Sequence, residues 1–322
     1  MRILFFGSGE FAVPTFESIA ADGHTIVAAV TQPDKVRGRG SKTTPTPVKA
    51  AALDAGVDVV DPPNVNTPDR VAHLKSLKAD LAYVAAYGQK IGHSLLHAFP
   101  IGIVNLHGSL LPALRGAAPI QWTILNGDAE AGVTVFRLVE KMDAGPILVQ
   151  RRTAIGDDET ADELHDRLAR IGCDAVRATI ELLQADPAHL GTPQDEEQVT
   201  LAPKLKKTDG RIDFDHSASE LACRIRGLWS WPGAMCRFQS TDRRRNEIVT
   251  LARAVPYEGK HAPADSSDTL GRITEVMGVQ ARDGELSLLE IKPAGGRLMK
   301  WQDYVNGRHV KPGDRFVPIE AG

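Results

Sequence analysis

The feature that most constrains the fold is a regular alternation in the first half of the chain. Short apolar runs alternate there with amphipathic stretches of helical periodicity, a pattern that favours a parallel sheet whose strands are joined by helices. The apolar runs predict strands at residues 2–7, 25–31, 58–60, 80–85, 102–106, 132–139 and 146–155. The stretches between them predict helices at residues 11–21, 46–55, 68–77 and 119–126.

The second half of the 322-residue chain has a different pattern, so we expect two domains. Apolar residues at three- and four-residue steps predict a long helix over residues 159–184, capped by Asp157 or Asp158. Residues 185–203 contain three prolines and an acidic cluster without periodicity, which predicts a linker. A predicted helix at 217–228 and short predicted strands at 235–238, 247–252, 271–276 and 285–291, separated by turns, favour a small β-barrel or sandwich.

Composition points to an ordinary globular protein of a reducing compartment. The chain is 42% hydrophobic and 25% charged. Its three cysteines are far apart and lack the spacing of a metal site, so we expect free thiols and no metal. A buried strand is predicted from Ile3, and no apolar run reaches membrane-spanning length. We therefore expect a cytoplasmic protein without a membrane partner.

The net charge of −3 is unevenly distributed. Residues 1–200 carry 18 Lys and Arg against 25 Asp and Glu, whereas residues 201–322 carry 20 against 16. The first part is therefore acidic at −7 and the second basic at +4. A basic second half is typical of a protein with an anionic partner, although chance variation between two domains explains the charge alone equally well.

Residues 7–12 fit the sequence pattern of a dinucleotide-binding turn. Gly-Ser-Gly-Glu-Phe-Ala fits the G-x-G-x-x-A pattern between a strand and a helix, and Asp34 lies near the position of a ribose-binding acid. However, Asp34 belongs to a Pro- and Gly-rich loop beyond the second strand, and Pro14 lies in the first turn of the helix. We therefore interpret this segment as a tight turn and expect no NAD.

The strongest candidate site combines an amide, an imidazole and a carboxylate. Asn105 and His107 lie two residues apart at the carboxyl end of a predicted strand, so both side chains share one face. Asp143 follows the next strand in a turn. An oxyanion donor, a proton carrier and a charged orienting group are what acyl transfer without a covalent intermediate requires.

The chain resembles a known family at these residues, and the likeness extends over nearly its whole length. The pattern N-x-H, S-L-L-P and D is met by Asn105, His107, residues 109–112 and Asp143, and is extended by Arg-Gly-Ala-Ala-Pro-Ile at 115–120. The chain resembles the 10-formyltetrahydrofolate-dependent formyltransferases, and among them the methionyl-tRNA formyltransferase family. Gly-Arg-Gly at 38–40, Trp-Pro-Gly at 231–233 and Lys-Pro-Gly-Asp-Arg at 311–315 continue the likeness.

The resemblance implies a fold and domain boundaries. The fold is α/β, with a Rossmann-like parallel sheet in a catalytic domain at residues 1–188. A linker at 189–205 and an OB-like β-barrel that binds tRNA at 206–318 follow. The acceptor is implied to be the α-amine of methionyl initiator tRNA, and the donor 10-formyltetrahydrofolate. We expect the chain to act as a monomer.

The resemblance also assigns residues to roles. Asn105, His107 and Asp143 are catalytic, and His107 either binds the oxyanion in its protonated form or removes the amine proton. The folate site is implied to comprise Ser109, Leu110, Leu111 and Pro112, with Gly88 from an earlier strand. The tRNA contact that the resemblance itself implies is Arg39, in its Gly-Arg-Gly setting. Arg37 and Lys42 are added as tRNA contacts because they are basic residues of the same loop, which continues to Lys49. The alternative acceptor is a 4-amino sugar nucleotide, against which this loop argues.

Overall fold

The computed structural model describes residues 1–37, 42–242, 244–259, 264 and 267–319. Two compact units are formed. The first comprises Met1–Pro119, Ala131–Thr153 and His165–Ala202. The second comprises Ile120–Glu130, Ala154–Leu164 and Pro203–Gly322. The chain therefore passes back and forth between the two units in the region of residues 120–164, which a domain boundary predicted from sequence places in a single domain.

Most of the predicted helices and strands are present, and the structure adds elements that the sequence pattern does not predict, among them a hairpin within residues 35–44 and a helix at Trp301–Arg308. The strands are β1 (Arg2–Gly7), β2 (Thr25–Val30), β3 (Lys35–Arg37), β4 (Lys42–Thr44), β5 (Val59–Val60), β6 (Leu81–Ala85), β7 (Gly102–His107), β8 (Arg115–Gly116), β9 (Glu130–Arg137), β10 (Ile147–Ala154), β11 (Leu201–Ala202), β12 (Ala234–Gln239), β13 (Asn246–Pro256), β14 (Val279–Gln280), β15 (Glu285–Pro293), β16 (Met299–Lys300) and β17 (Arg315–Val317). The helices are α1 (Val13–Ala21), α2 (Pro47–Asp54), α3 (Pro68–Ser76), α4 (His93–Leu96), α5 (Pro119–Leu125), α6 (Ala161–Ala185), α7 (Ala218–Gly227) and α8 (Trp301–Arg308).

The first unit is built on a seven-stranded sheet in the order β10-β9-β7-β6-β1-β2-β5. Strands β5, β2, β1, β6 and β7 run parallel to their neighbours, as the alternating pattern predicts. Strand β9 pairs antiparallel with β7, which makes the sheet mixed at one side. The Rossmann-like prediction is confirmed, since the parallel strands and their helices form the centre of the unit.

Each face of this sheet is covered by helices. One face carries Ile103 and packs with apolar residues of α3 and α4. The other carries Leu106, which lies so close to α6 that a Cβ placed on Gly172 would be 2.8 Å from Leu106 Cδ2. Helix α6 begins after Thr160, whose backbone and hydroxyl both bond to Glu163. Thr160 thus provides the cap that the sequence prediction gave to Asp157 or Asp158.

The acidic segment after α6 is ordered by pairing. Within it, β11 pairs parallel with β8, which lies near the end of the Met1–Pro119 segment of the first unit. The amide of Arg115 donates to Thr200 O at 2.9 Å, and that of Ala117 to Ala202 O at 2.8 Å. These partners are distant in sequence, so local periodicity gave no indication of the pairing.

The second unit contains an antiparallel sheet in the order β14-β15-β13-β12-β17. Its two edge strands are joined by the segment after Leu270. Gly271 N–H donates to Gln280 O at 2.9 Å, and Phe316 N–H donates to Gly271 O at 2.8 Å. The strand predicted at 271–276 therefore forms only isolated bridges, but these bridges nearly close the sheet. The OB-like barrel prediction is confirmed.

Two structural features are absent from the described residues. No helix among them combines the length and apolarity needed to cross a bilayer. No group of three or more His, Cys, Asp or Glu side chains among them is arranged to hold a metal ion.

Candidate active site

Strand β7 places Asn105 and His107 on one face at its carboxyl end. Asn105 lies between Val84 of β6 and Phe136 of β9, and His107 lies opposite Thr134. Within the described part of the chain, the Asn105 side-chain amide makes no hydrogen bond. An amide held by a central strand and free of protein partners is available to a ligand.

The imidazole of His107 has a fixed orientation. It is buried and packs edge to face against Phe136, with 6.5 Å between the ring centroids. Its Nε2 lies 2.9 Å from the carbonyl oxygen of Leu114. Because a carbonyl only accepts, Nε2 carries the proton of this bond. In the neutral ring, Nδ1 therefore has the lone pair.

Asp143 reaches the same place from the turn after β9. Its Oδ2 lies 3.9 Å from His107 Nδ1 and accepts a hydrogen bond of 2.9 Å from Gly116 N–H. The two side chains are only 7% and 12% exposed. A separation of 3.9 Å is too long for a hydrogen bond but close enough for strong electrostatic interaction in a buried site. The structure thus brings Asn105, His107 and Asp143 together, as the sequence pattern predicts.

Residues 109–112 form a loop that is fastened to the sheet. Ser109 Oγ donates to Ala113 O at 2.7 Å. Thr134 Oγ1 donates to Ser109 O at 2.7 Å and accepts from Leu111 N–H at 3.1 Å. Gln150 donates to Leu111 O at 2.8 Å. These bonds fix the backbone, so the partly exposed Leu110 and Pro112 present a preformed apolar surface.

Gly88 follows β6 at the same edge of the sheet, because β6 is the parallel neighbour of β7. The adjacent carbonyl of Tyr87 accepts bonds from Ser8 Oγ at 3.0 Å and Gln32 Nε2 at 3.3 Å. The amides of Ser8 and Gly9 both donate to Ala86 O. These are the amides that a dinucleotide pyrophosphate would need, and they already have a partner.

The basic loop is described only in part. Arg37 and Lys42 are in register in the hairpin of β3 and β4, whereas Arg39 lies outside the described residues. Lys49 Nζ lies 2.9 Å from Asp34 and 2.8 Å from Asp61, and bonding to Asp61 and then Asp34 raises the pKa of Lys49. Its charge is already balanced, which removes the argument for Lys49 as a phosphate contact.

Sequence reasoning missed a polar network that supports Asp143. Gln194 Nε2 donates to Asp143 O at 2.8 Å and to Gly145 O at 2.7 Å. Arg115 is 4% exposed and donates twice to Gln194 Oε1 and once to Glu196. Arg115 and then Lys141 lower the pKa of Glu196 to about 2. Arg115 stood in a recognised motif, whereas nothing in the acidic segment distinguished Gln194.

Comparison with known families agrees with this fold. Residues 1–180 match the family model described as formyl transferase, and residues 204–309 match the formyl transferase C-terminal domain. Both halves of the chain therefore define a formyl transferase. The chain is 42% identical to the methionyl-tRNA formyltransferase of Symbiobacterium thermophilum, over 100% of its own length and 97% of the relative's. It is 38% identical to that of Solibacter usitatus, over 98% of each. The chain belongs to the methionyl-tRNA formyltransferase family.

A solved structure shares the fold at much lower identity. It is the N-formyltransferase from Helicobacter canadensis in complex with folinic acid and dTDP-3-aminofucose. Its TM-score is 0.65 and its sequence identity 15%, over 89% of this chain and 98% of that one. At this identity the likeness concerns the architecture alone.

Proposed function

We propose that the chain transfers the formyl group of 10-formyltetrahydrofolate to the α-amine of methionyl initiator tRNA. The observation that carries the proposal is the approach of His107 Nδ1 to Asp143 Oδ2, at 3.9 Å, beside the Asn105 amide, which has no hydrogen-bond partner among the described residues. Full-length similarity to methionyl-tRNA formyltransferases supports the choice of acceptor. Formylated methionyl-tRNA serves translation initiation. We propose that the protein acts in this process as a monomer in the cytoplasm.

The reaction exchanges one carbon–nitrogen bond for another. The neutral α-amine attacks the formyl carbon, and the carbonyl electron pair becomes an oxyanion. When this pair re-forms the carbonyl, the bond to the N10 nitrogen of the folate breaks, and N10 needs a proton. A free α-amine has a pKa of about 7.7–8.0, and the neighbouring ester lowers it, so deprotonation near neutrality costs little. The oxyanion and the proton transfer are the steps that need protein groups.

Asn105 fits the role of oxyanion donor. Its side-chain amide is carried by β7, which pairs with a neighbouring strand on each side, and no protein acceptor in the described residues competes for it. A preorganised donor stabilises charge that develops in the transition state without a reorganisation cost.

His107 fits the role of proton carrier through Nδ1. Since Nε2 donates to Leu114 O, Nδ1 is the atom that takes a proton from the attacking amine and delivers it to N10. Asp143 stabilises the positive charge that the ring holds between these two transfers. Of the two roles that the sequence left open, this tautomer favours proton transfer.

The donor and acceptor are proposed to contact different segments of the chain near this centre. Leu110 and Pro112 offer a rigid apolar surface to the flat folate ring, beside Ser109 and Leu111, and Gly88 lies at the neighbouring strand end. Arg37, Arg39 and Lys42, in the basic loop, are proposed to contact tRNA phosphates. No metal and no NAD have a role in this scheme.

A direct assay tests the proposal. The purified chain is incubated with formyl-labelled 10-formyltetrahydrofolate and one of three acceptors: methionyl initiator tRNA, the same tRNA without methionine, or a 4-amino sugar nucleotide. Label is expected on the methionine of charged tRNA only. Transfer to the sugar nucleotide with none to methionyl-tRNA would instead establish the alternative acceptor. Absence of transfer to both would refute formyl transfer.

A further inference from the structure

Asp143 has a backbone conformation that needs support. Its φ of +50° is left-handed, although it is not a glycine. The carboxylate accepts a hydrogen bond from Gly116 N–H at 2.9 Å, and within the turn Ala144 N–H donates to Lys141 O at 3.3 Å. A further contact comes from Gln194, whose amide nitrogen joins the carbonyl oxygens of Asp143 and Gly145 at 2.8 and 2.7 Å.

The amide of Gln194 has only one possible orientation. Its Oε1 accepts two bonds from Arg115, at 3.0 Å from Nε and 2.8 Å from Nη2. A guanidinium only donates, so the oxygen faces Arg115 and the NH₂ group faces the two carbonyls. Both protons and both lone pairs of Gln194 are thereby used.

Arg115 is itself immobilised. The side chain is 4% exposed, its Nη2 lies 3.0 Å from Glu196, and its backbone pairs β8 with β11. The neighbouring Gly116 supplies the amide that binds the Asp143 carboxylate. One short strand therefore holds Asp143 twice, directly through Gly116 and indirectly through Gln194.

We propose that Gln194 is a positioning residue, which holds the turn so that the Asp143 carboxylate stays beside His107. The inference deepens the proposed function and rests on it. Gln194 lies between the segments that match the two family models, which end at residue 180 and begin at residue 204. It acts through Asp143 and touches no reacting atom.

A purely structural role makes a different prediction. If Gln194 serves only to satisfy the buried charge of Arg115, then Gln194→Glu keeps or strengthens that contact and activity survives. If the hydrogen bonds that Gln194 donates are needed, Gln194→Glu loses activity, because a carboxylate has no proton for the carbonyls of Asp143 and Gly145. Gln194→Met removes both functions at similar volume. Gln198→Glu adds the same charge to the same segment at an exposed side chain and is the matched control.

The test is a steady-state comparison of these variants, each alone and with Asp143→Asn. We expect Gln194→Glu to lower kcat by about tenfold to a hundredfold, as misplacement of a catalytic group does, while KM for both substrates changes by less than about twofold. In the Asp143→Asn background the same substitution should have almost no further effect on kcat, because Gln194 acts through that carboxylate. Gln198→Glu should match the parent.

Three outcomes overturn the inference: normal kcat in Gln194→Glu, a loss expressed in KM, or equal losses with and without Asp143→Asn. If Gln194→Met does not fold, Gln194→Glu alone decides, because it retains the Arg115 contact. Failure of the proposed function is distinguishable, since the unmodified chain would then transfer no formyl group to methionyl-tRNA.

Discussion

At the scale of a single residue, Asn105 allows the stabilisation of the oxyanion to be tested separately from proton transfer. Its amide has no partner in the described residues, so truncation removes a donor without leaving another buried group unpaired. Loss of one oxyanion donor costs about 2.7–4 kcal/mol of transition-state stabilisation, so Asn105→Ala should lower kcat by about two to three orders of magnitude. Single-turnover formyl transfer measures this directly, with folate affinity as the control. Near-normal turnover would remove Asn105 from the mechanism.

Gly145 tests how rigid the turn of Asp143 is. A Cβ at this position would lie 1.7 Å from Arg137 O, a backbone atom that cannot move aside. Gly145→Ala should therefore shift the turn, lower stability by about 1–3 kcal/mol and reduce kcat through Asp143. Gly284→Ala is the control, because a Cβ there meets nothing within 4 Å. Thermal melting and kcat are measured together; a Gly145→Ala protein as stable and active as the control would contradict the rigid turn.

The candidate catalytic residues were predictable from sequence, whereas the residue that holds Asp143 in place was not. Asn105, His107 and Asp143 were identified because strand alternation and a following turn direct them to one edge. Gln194 was not, because its contacts to Asp143 and Arg115 span 51 and 79 residues. No local pattern encodes contacts of that range.

At the scale of elements, an ion-pair network fixes the start of α6. Within the second unit, Arg253 lies 2.6 Å from Glu163, 3.6 Å from Asp158 and 2.9 Å from Glu290. Hydrogen bonding to Arg253 is the main reason that the pKa of Glu163 falls from 4.5 to about 2. A depressed carboxyl pKa contributes stability above the unfolded-state value and loses it as pH falls through the folded-state value.

This network predicts a pH dependence for one substitution. Glu163→Gln should destabilise the protein at neutral pH, and its difference from the parent should shrink as pH falls from about 4.5 towards 2. Melting temperatures across that range measure the difference. Glu163 is about half exposed, so solvent screening keeps the effect modest. Glu181→Gln, exposed on the same helix, is the control. A destabilisation that does not vary with pH would exclude the ion pair as its cause.

Elements were predictable where their residues repeat and not where pairing alone defines them. The apolar steps along α6 and the alternation along β7 gave those elements within a few residues. The segment containing β11 was interpreted as a linker, because two residues paired with β8 leave no periodic signal. The opposite error occurs at 271–276, where a strand is predicted and no continuous strand forms. The residues there make isolated β-bridges to the two edge strands of the sheet instead of a continuous row of strand hydrogen bonds.

At the scale of the molecule, the order of two fold types followed from the change in pattern along the chain. What the pattern did not reveal is that residues 120–130 and 154–164 belong to the second unit although they lie between parts of the first. Membership of a unit depends on contacts such as Trp122 Nε1 to Pro203 O, which connect residues 81 positions apart. Periodicity reports which face of an element is buried, and not which unit buries it.

The uneven charge of the whole chain leads to a prediction about salt. The basic second half, at +4, and the basic loop of β3 and β4 are where tRNA phosphates are proposed to bind. Each phosphate contact releases counterions, so tRNA affinity should fall steeply as salt rises from about 50 to 200 mM. Folate binding depends on an apolar loop and should hardly change. KM for methionyl-tRNA and for the folate donor, measured in parallel over that range, separates the two.

The same measurement assigns the contact to particular residues. Arg39→Glu should raise KM for methionyl-tRNA and flatten its salt dependence, because one phosphate contact is lost and a repulsion is added. KM for the folate donor should stay constant in this variant. Arg70→Glu is the control, because Arg70 is exposed on helix α3 of the first unit and lies outside both regions proposed to bind tRNA. Equal effects of the two reversals on both substrates would indicate a general charge effect and contradict a specific contact at Arg39.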